Sequence, residues 1–344
     1  MTDMDTVDSR LEGLPVYAPQ DVTRDYESPI LGEGYTFTGS DNPEVPHRAH
    51  FCACDTTVDF TMYGDKNQAR HASMLARNTM RGYELLFSRT MPMSDVTRIN
   101  KAGTEPVHVH PLTAKLIEES IKYSQRSEGV FDITMGTVTH LWDFKEGIIP
   151  TAEDIAEAMT HVGYDKIEVY MEKSFWCIRK KDAATRIDLG GTAKGFIADK
   201  LADIFEEEGI EHFLLNLGGN IIAKGGKPNG DPFRIGVKNP QDREKVLAAV
   251  PLVNGSVVTS GMYERAFTLN GKRYAHILDT KTGMPVETDV EGVTVVAENG
   301  TDCDGFSTTL CALGMEAGKK FVSSHREISM AVFVDKDNHI EVVS

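Results

Sequence analysis

The sequence predicts a mixed α/β protein in which strand-rich sheets are flanked by helices. Three observations lead there. Segments with helical spacing, Asn67–Phe87 among them, alternate with short runs rich in Val, Ile, Thr and Phe. Those runs are punctuated by Gly, Pro and Asn, and no repeat of solenoid period appears. The 344 residues, 40% of them hydrophobic, supply apolar surface for one large core or two intimate ones.

Residues 1–46 are polar, rich in Gly and Pro and without a sustained period, and read as an arm that drapes over the body or stays mobile. Residues 47–344 then form the working domain. From Ala49 the text AHFCACDTTVDFTMYG alternates as a strand, followed by the helix Asn67–Phe87 with Ala69, Met74, Leu75, Met80, Leu85 and Leu86 on its apolar positions. Further helices are expected at Pro111–Ser127 and at Ala152–Val162, the latter with Thr151 as N-cap and Asp154 three residues on. Lys166–Arg179 reads as a hairpin. Thr185–Gly191 reads as a short strand running into the helix Lys194–Glu208. His212–Ile222, Phe233–Lys238, Ser256–Ser260, Arg265–Leu269, Gly292–Val296 and Ile328–Val334 all read as strands.

The formal charge of −16 argues against non-specific nucleic-acid binding, and no basic patch offsets it. An acidic enzyme acting on an anionic nucleotide needs a cation and a few aimed donors. No apolar run reaches the roughly 18 residues of a membrane span, and the start MTDMDTVDSRLEG has neither the basic nor the apolar region of a signal segment. The five cysteines form no disulfide framework. Cys52 and Cys54 read as two small residues on one face of a strand rather than as metal ligands.

Three segments carry candidate chemistry. In Ile187–Phe196 a strand ends in Gly190-Gly191 and passes at once into a helix, so free helix amides and the mobile charge of Lys194 can meet a phosphate; an ordinary strand-to-helix turn has the same look. In Thr301–Leu310, Asp304 and Thr308 stand four apart on one helical face, able to meet one ion; equally, Asp302 or Asp304 caps the helix and Thr308 bonds back to its own turn. In Tyr274–Pro285, His276 is placed as a proton carrier or as a structural histidine, with Asp279 able to orient a neighbour. Asn216–Asn220 and Thr259–Tyr263 repeat the strand-to-glycine theme. Phe131-Asp132, Trp142 and Phe144 suit either an aromatic ring pocket or core packing.

Taken in order, GVFDITMGTVTHLWDF, IDLGGTAKGFIAD, LLNLGGNIIAKGGKP, VVTSGMYERAF, YAHILDTKTGMPV and TDCDGFSTTLCALG resemble the ApbE-type FAD:protein FMN transferases, from about His50 to the C-terminus. The resemblance implies a T-fold-like flavin transferase architecture and an enzyme that moves FMN from FAD onto a Thr or Ser hydroxyl of an acceptor protein, with AMP released. It implies Mg²⁺ held by Asp304, Thr308 and the Gly191 backbone carbonyl. It places Asp188 and Lys194 against FAD, Val130, Phe131 and Asp132 beside the ring, and His276 and Leu278 in the pocket lining. Lys194, His276 and Asp304 are the expected catalytic residues.

Two positions depart from the family pattern. Cys54-Asp55-Thr56 stands where many relatives carry a Met-Gly-Thr-like segment near the bound dinucleotide, and Thr90, in FSRTMPMSDVTRIN, falls where relatives vary near the flavin. That variation bears on whether water competes as acceptor, which keeps hydrolysis of FAD to FMN and AMP as an alternative. A flavin-binding protein without turnover and an electron-transfer flavoprotein are the other classes. The implied partner is a protein with an FMN-binding domain, such as a redox pump subunit or a flavin reductase. Most relatives work outside the cytoplasm behind a signal or lipid anchor, so the compartment of this chain stays open.

Overall fold

In a computed structural model, residues 34–344 are described. The N-terminal half contains β1 (Thr36–Thr38), β2 (His47–Ala53), β3 (Thr56–Tyr63), α1 (Lys66–Phe87), α2 (Asp95–Lys101), β4 (Val107–Val109), α3 (Pro111–Arg126), α4 (Gly136–Thr139), α5 (Ala152–Met159), β5 (Ile167–Glu172) and β6 (Phe175–Lys180). The C-terminal half contains α6 (Ala193–Glu207), β7 (His212–Leu217), β8 (Asn220–Lys224), β9 (Phe233–Lys238), β10 (Val246–Leu252), β11 (Gly255–Gly261), β12 (Ala266–Leu269), β13 (Lys272–Ala275), β14 (Val290–Ala297), α7 (Gly300–Ser324), β15 (Ile328–Asp335) and β16 (Ile340–Val343). This is the mixed α/β class that the sequence predicts.

Nine strands make one antiparallel sheet in the order β1-β2-β3-β7-β8-β11-β14-β15-β16. Helices α1, α6 and α7 cover one face, and the β9–β10 hairpin covers part of the other. The double covering explains the near-continuous apolar runs of the central strands. Val258, Ala331 and Phe333 join the helix-side core, while their neighbours Val257, Val332 and Val334 pack with Phe233, Ile235 and Leu252 of the hairpin. Strand β2 shows the other pattern: His47, Ala49, Phe51 and Ala53 point inward and Arg48, His50 and Cys52 outward.

Four expectations change. Of the arm expected over 1–46, residues 1–33 lie outside the described residues, while Thr36–Thr38 pairs with β2 as an edge strand and Tyr35 bonds Ser73 of α1. The single strand expected from Ala49 is a hairpin, turned at Cys54-Asp55, both at positive φ (52° and 55°). Cys52 is therefore exposed on the strand and Cys54 sits half-buried in the turn, so they share no strand face. His212–Ile222 likewise splits into β7 and β8 about Gly218-Gly219, where φ is 61° and 100°.

The fourth change concerns Thr185–Leu189, which is extended but belongs to no sheet among the described residues. Side chains replace the missing ladder. Asn100 brackets Ile187 through both its amide atoms, Thr137 Oγ1 does the same for Arg186, and the Asp188 amide donates to the Ile133 carbonyl. Buried Lys180 donates to the carbonyls of Asn100, Ala183 and Thr185. The extended approach to Gly190-Gly191 is thus fixed by neighbours rather than by strand pairing.

Candidate active site

The site forms where α6 and α7 begin, because two glycines let the helices touch there. A Cβ built on Gly195 would lie 2.2 Å from the Gly300 carbonyl oxygen, and one on Gly300 would lie 2.8 Å from the Gly195 oxygen. Only hydrogen fits in that contact. The approach brings the Gly195 amide within 3.0 Å of Asp304 Oδ2, one turn into α7. Asp304 is buried, and its other oxygen lies 3.9 Å from Lys194 Nζ. Lys194 Nζ is also 3.5 Å from the Gly190 carbonyl.

Neither Asp302 nor Asp304 is the N-cap of α7. Asn299 is, accepting from the Asp302 amide, while Asp302 accepts a 2.6 Å bond from Tyr123 Oη. Asp304 is thereby freed for other work. Thr308 Oγ1 lies 3.4 Å from the Asp304 carbonyl and 3.4 Å from Ser260 Oγ, at the end of β11. Ser260 Oγ makes its closer bond, 2.8 Å, to Ser307 Oγ.

Gly191 has its own steric reason. A Cβ there would meet the Phe131 ring at 2.7 Å, so the glycine turn and the aromatic side chain are in direct contact. Among the described residues the Gly191 carbonyl receives no hydrogen bond. One carboxylate, one weakly bonded hydroxyl and one free carbonyl make a set of hard oxygen donors. That set fits Mg²⁺, which takes few protein oxygens and completes its shell with water or phosphate.

Burial and nearby charge shift two neighbours of this group. Burial pushes His276 down to about 4, helped by the positive charges of Arg265 and Lys194. Its imidazole is neutral at neutral pH, and its buried Nδ1 has no partner among the described residues. Burial also pushes the Cys54 thiol up to about 12, with Glu84 raising it and Lys194 pulling it down. Lys194 thus stands among Asp304, His276 and the hairpin turn that carries Cys54.

The other expected residues lie at varying distance from that centre. Asp188 accepts from the Gly190 amide and pairs with Arg89 at 3.3 Å; Thr90 follows Arg89 on an exposed loop and bonds Ser88 Oγ. Asp132 is largely committed to the chain itself, capping the turn Ile133–Met135 and accepting from the amides of Thr134 and Tyr164. Burial raises its pKa even so. Val130 immediately precedes Phe131, whose ring touches the glycine turn. Leu278 packs in an apolar cluster with Trp142 and Val138; there Trp142 stacks on Phe144 with centroids 5.5 Å apart, and its buried Nε1 also has no partner among the described residues.

Sequence reading passed over Asp199, the last residue of IDLGGTAKGFIAD. Its carboxylate accepts from the Gly300 amide at 2.5 Å, the Thr301 amide at 2.9 Å and Thr301 Oγ1 at 2.6 Å. Burial pushes its pKa up to about 6 against the pull of those bonds. The signal available was its spacing, four residues from Gly195 on the same helix face. Arg265 and Arg89 were also passed over, with nothing local to mark them, and Ser260 was covered only as part of the Thr259–Tyr263 strand end. A cavity of about 580 Å³ opens on the far side of the same α6–α7 junction, lined by Asp199, Thr301 and Asp302 together with Lys122, Lys200 and Glu298, while the surface turn holding Asp335, Asp337 and His339 lies apart.

The ApbE family model matches residues 54–333. An FAD:protein FMN transferase of Klebsiella pneumoniae (strain 342) is 32% identical over 247 residues, 70% of this chain and 70% of its own length. That of Escherichia coli (strain K12) is 31% identical over 320 residues, 89% of this chain and 90% of its own. Among solved structures, the ApbE protein of Thermotoga maritima superposes with a TM-score of 0.79 at 30% identity, covering 87% of this chain and 97% of that one. The flavin transferase ApbE of Vibrio cholerae gives 0.73 at 25% identity, covering 86% and 96%.

Proposed function

Because the chain belongs to the ApbE family, we propose that it transfers FMN from FAD to a Thr or Ser hydroxyl of an acceptor protein in a Mg²⁺-dependent reaction that releases AMP. The observation that carries this reading is the buried Asp304 carboxylate, held by the Gly195 amide and faced by Lys194 at the start of α6. A carboxylate next to a lysine and a helix N-terminus unites a cation ligand with two groups that attract phosphate.

Asp304, Thr308 and the Gly191 carbonyl would hold the metal. When bound, Mg²⁺ neutralises charge on the pyrophosphate oxygens and lowers the pKa of a hydroxyl beside it. In the first turn of α6 the amides of Ala193, Gly195 and Phe196 are already bonded, so Lys194, through its side chain and its own amide, meets the remaining phosphate charge, and its work is positioning and electrostatic stabilisation. The acceptor oxygen attacks the FMN-side phosphorus; its new P–O bond replaces the bond to the AMP phosphate, and AMP leaves. His276 Nδ1, neutral and unpartnered, is the group assigned to take the hydroxyl proton. The unpartnered Trp142 Nε1 marks a second place where a polar ligand would complete the protein's bonding.

The acceptor class is a protein with an FMN-binding domain. Among the described residues no helix is long and apolar enough to cross a membrane. The test is to incubate the chain with FAD, Mg²⁺ and a fragment of such a domain. A covalent mass gain corresponding to FMN on one Thr or Ser, with equimolar AMP and abolished by chelator, supports transfer. Free FMN with an unmodified fragment would make the chain a hydrolase, and unchanged FAD a binder.

A further inference from the structure

Helices α6 and α7 hold each other by exchanged carboxylates. Asp304 of α7 accepts from the Gly195 amide of α6, and Asp199 of α6 accepts from the Gly300 and Thr301 amides and the Thr301 hydroxyl of α7. Asn299 already caps α7 through the Asp302 amide, so Asp199 satisfies the two earlier amides that the cap does not reach. The Gly195–Gly300 contact lies between the two sets of bonds and leaves no room for adjustment. Gly300 and Thr301 sit one turn before Asp304, so the grip of Asp199 sets both the height and the rotation of α7 where that carboxylate emerges.

We propose that Asp199 is a positioning residue for the metal site, fixing the first turn of α7 so that Asp304 presents its free oxygen at the place where it binds the cation. The inference rests on the metal-dependent reading above. Asp199 touches neither metal nor substrate; it acts through the Gly300–Asp304 turn. The other carboxylate on this turn, Asp302, is turned to Tyr123 and Asn299, so it is no substitute for Asp199.

The experiment measures Mn²⁺ binding to the full chain without flavin, by the resonance signal of the free ion, and in parallel the Mg²⁺ dependence of AMP release at saturating FAD and acceptor. Asp199→Asn is expected to weaken metal binding by roughly 10–100-fold, the range for groups that orient metal ligands, while kcat at saturating metal stays within about threefold. Thr301→Val, which removes one bond to Asp199 and no charge, shifts the affinity less in the same direction; Thr301→Ser keeps the parent value. A folded Asp199→Asn chain with metal affinity within twofold of the parent overturns the inference, as does lost kcat with unchanged metal affinity.

Should Asp199→Asn not fold, amide exchange in the unmodified chain decides. Saturating Mg²⁺ then slows exchange at Gly300 and Thr301, and unchanged exchange overturns the proposal. A parent chain that transfers FMN without any metal overturns both this inference and the metal-dependent reading, whereas a parent that binds metal but transfers nothing overturns the transferase reading alone.

Discussion

Gly195 and Gly300 meet backbone to backbone: a methyl group on Gly195 would lie 2.2 Å from the Gly300 carbonyl oxygen, and that oxygen belongs to main chain that cannot swing aside. Gly195→Ala gains helix propensity of about 1 kcal/mol and must still force α6 and α7 apart, at an overpacking cost of about 1–3 kcal/mol or more. The expected result is a lower melting temperature together with a loss of activity larger than the stability change explains, since the Gly195 amide would leave Asp304. Thermal unfolding and turnover of the same preparation check this. An alanine variant with parental turnover would mean that the contact does not set the site.

Asp304→Asn keeps an oxygen for the Gly195 amide and removes the charge that faces Lys194. The fold should survive, with a melting temperature within a few degrees of the parent. Turnover should fall by roughly a hundredfold or more, because a metal ligand contributes several kcal/mol to stabilising the transition state. Lys194→Gln should retain metal binding and lower kcat/KM for FAD by roughly 10–100-fold, the scale of one lost electrostatic donor. Steady-state AMP release at several Mg²⁺ concentrations separates the two.

These residues show what a sequence carries about a site and what it does not. Asp304 and Thr308 were visible as an i, i+4 pair, and Gly190-Gly191 as a turn into a helix, because both are local patterns. The alternative caps were visible too; the local bond from the Asp302 amide to Asn299 and the long-range bond from the Gly195 amide to Asp304 decide between them. Cys54 and Gly218 show the limit for strands: a two-residue turn of residues at positive φ reverses the chain without breaking the apolar alternation on either side, so each hairpin reads as one strand. Strand β10 escaped notice because Pro251 lies inside it, tolerated since the β9–β10 pair is a two-stranded hairpin. Asp199 shares a helix face with Gly195, but that spacing names no role by itself, as the partners of its carboxylate are 101 and 102 residues away.

Lys180 tests how the approach to the site is held. Its buried ammonium serves three carbonyls, those of Asn100, Ala183 and Thr185, and burial lowers its pKa. Lys180→Met fills the same space and leaves those carbonyls without their donor, at a cost of about 3 kcal/mol. Unfolding midpoints in denaturant should move down accordingly. Because Thr185 leads directly to Asp188 and the glycine turn, KM for FAD should rise as well. A drop in stability with unchanged KM would show that Asn100 and Thr137 hold the segment by themselves.

Two buried groups in the metal-free protein have opposite effects on its stability between pH 4 and 6.5. His276 titrates near 4 in the folded chain against 6.5 for the free side chain, so the unfolded chain binds its proton first as pH falls. Its contribution is present above about 6.5 and is lost as pH falls toward 4. Asp199 titrates near 6 against 3.8, so the folded chain holds its proton longer as pH rises; its contribution is present below about 3.8 and is lost as pH rises through 6. Each shift spans two or more pH units, about 3 kcal/mol at most, and the two slopes nearly cancel over their shared window. Removing one exposes the other. Against the parent, the slope of stability with pH between 4 and 6 should become more negative with His276→Gln and more positive with Asp199→Asn. Denaturant titrations at half-unit steps of pH on the parent and both variants read these changes, and two variants that shift the parent's slope in the same direction would mean that at least one of these groups is not buried as described.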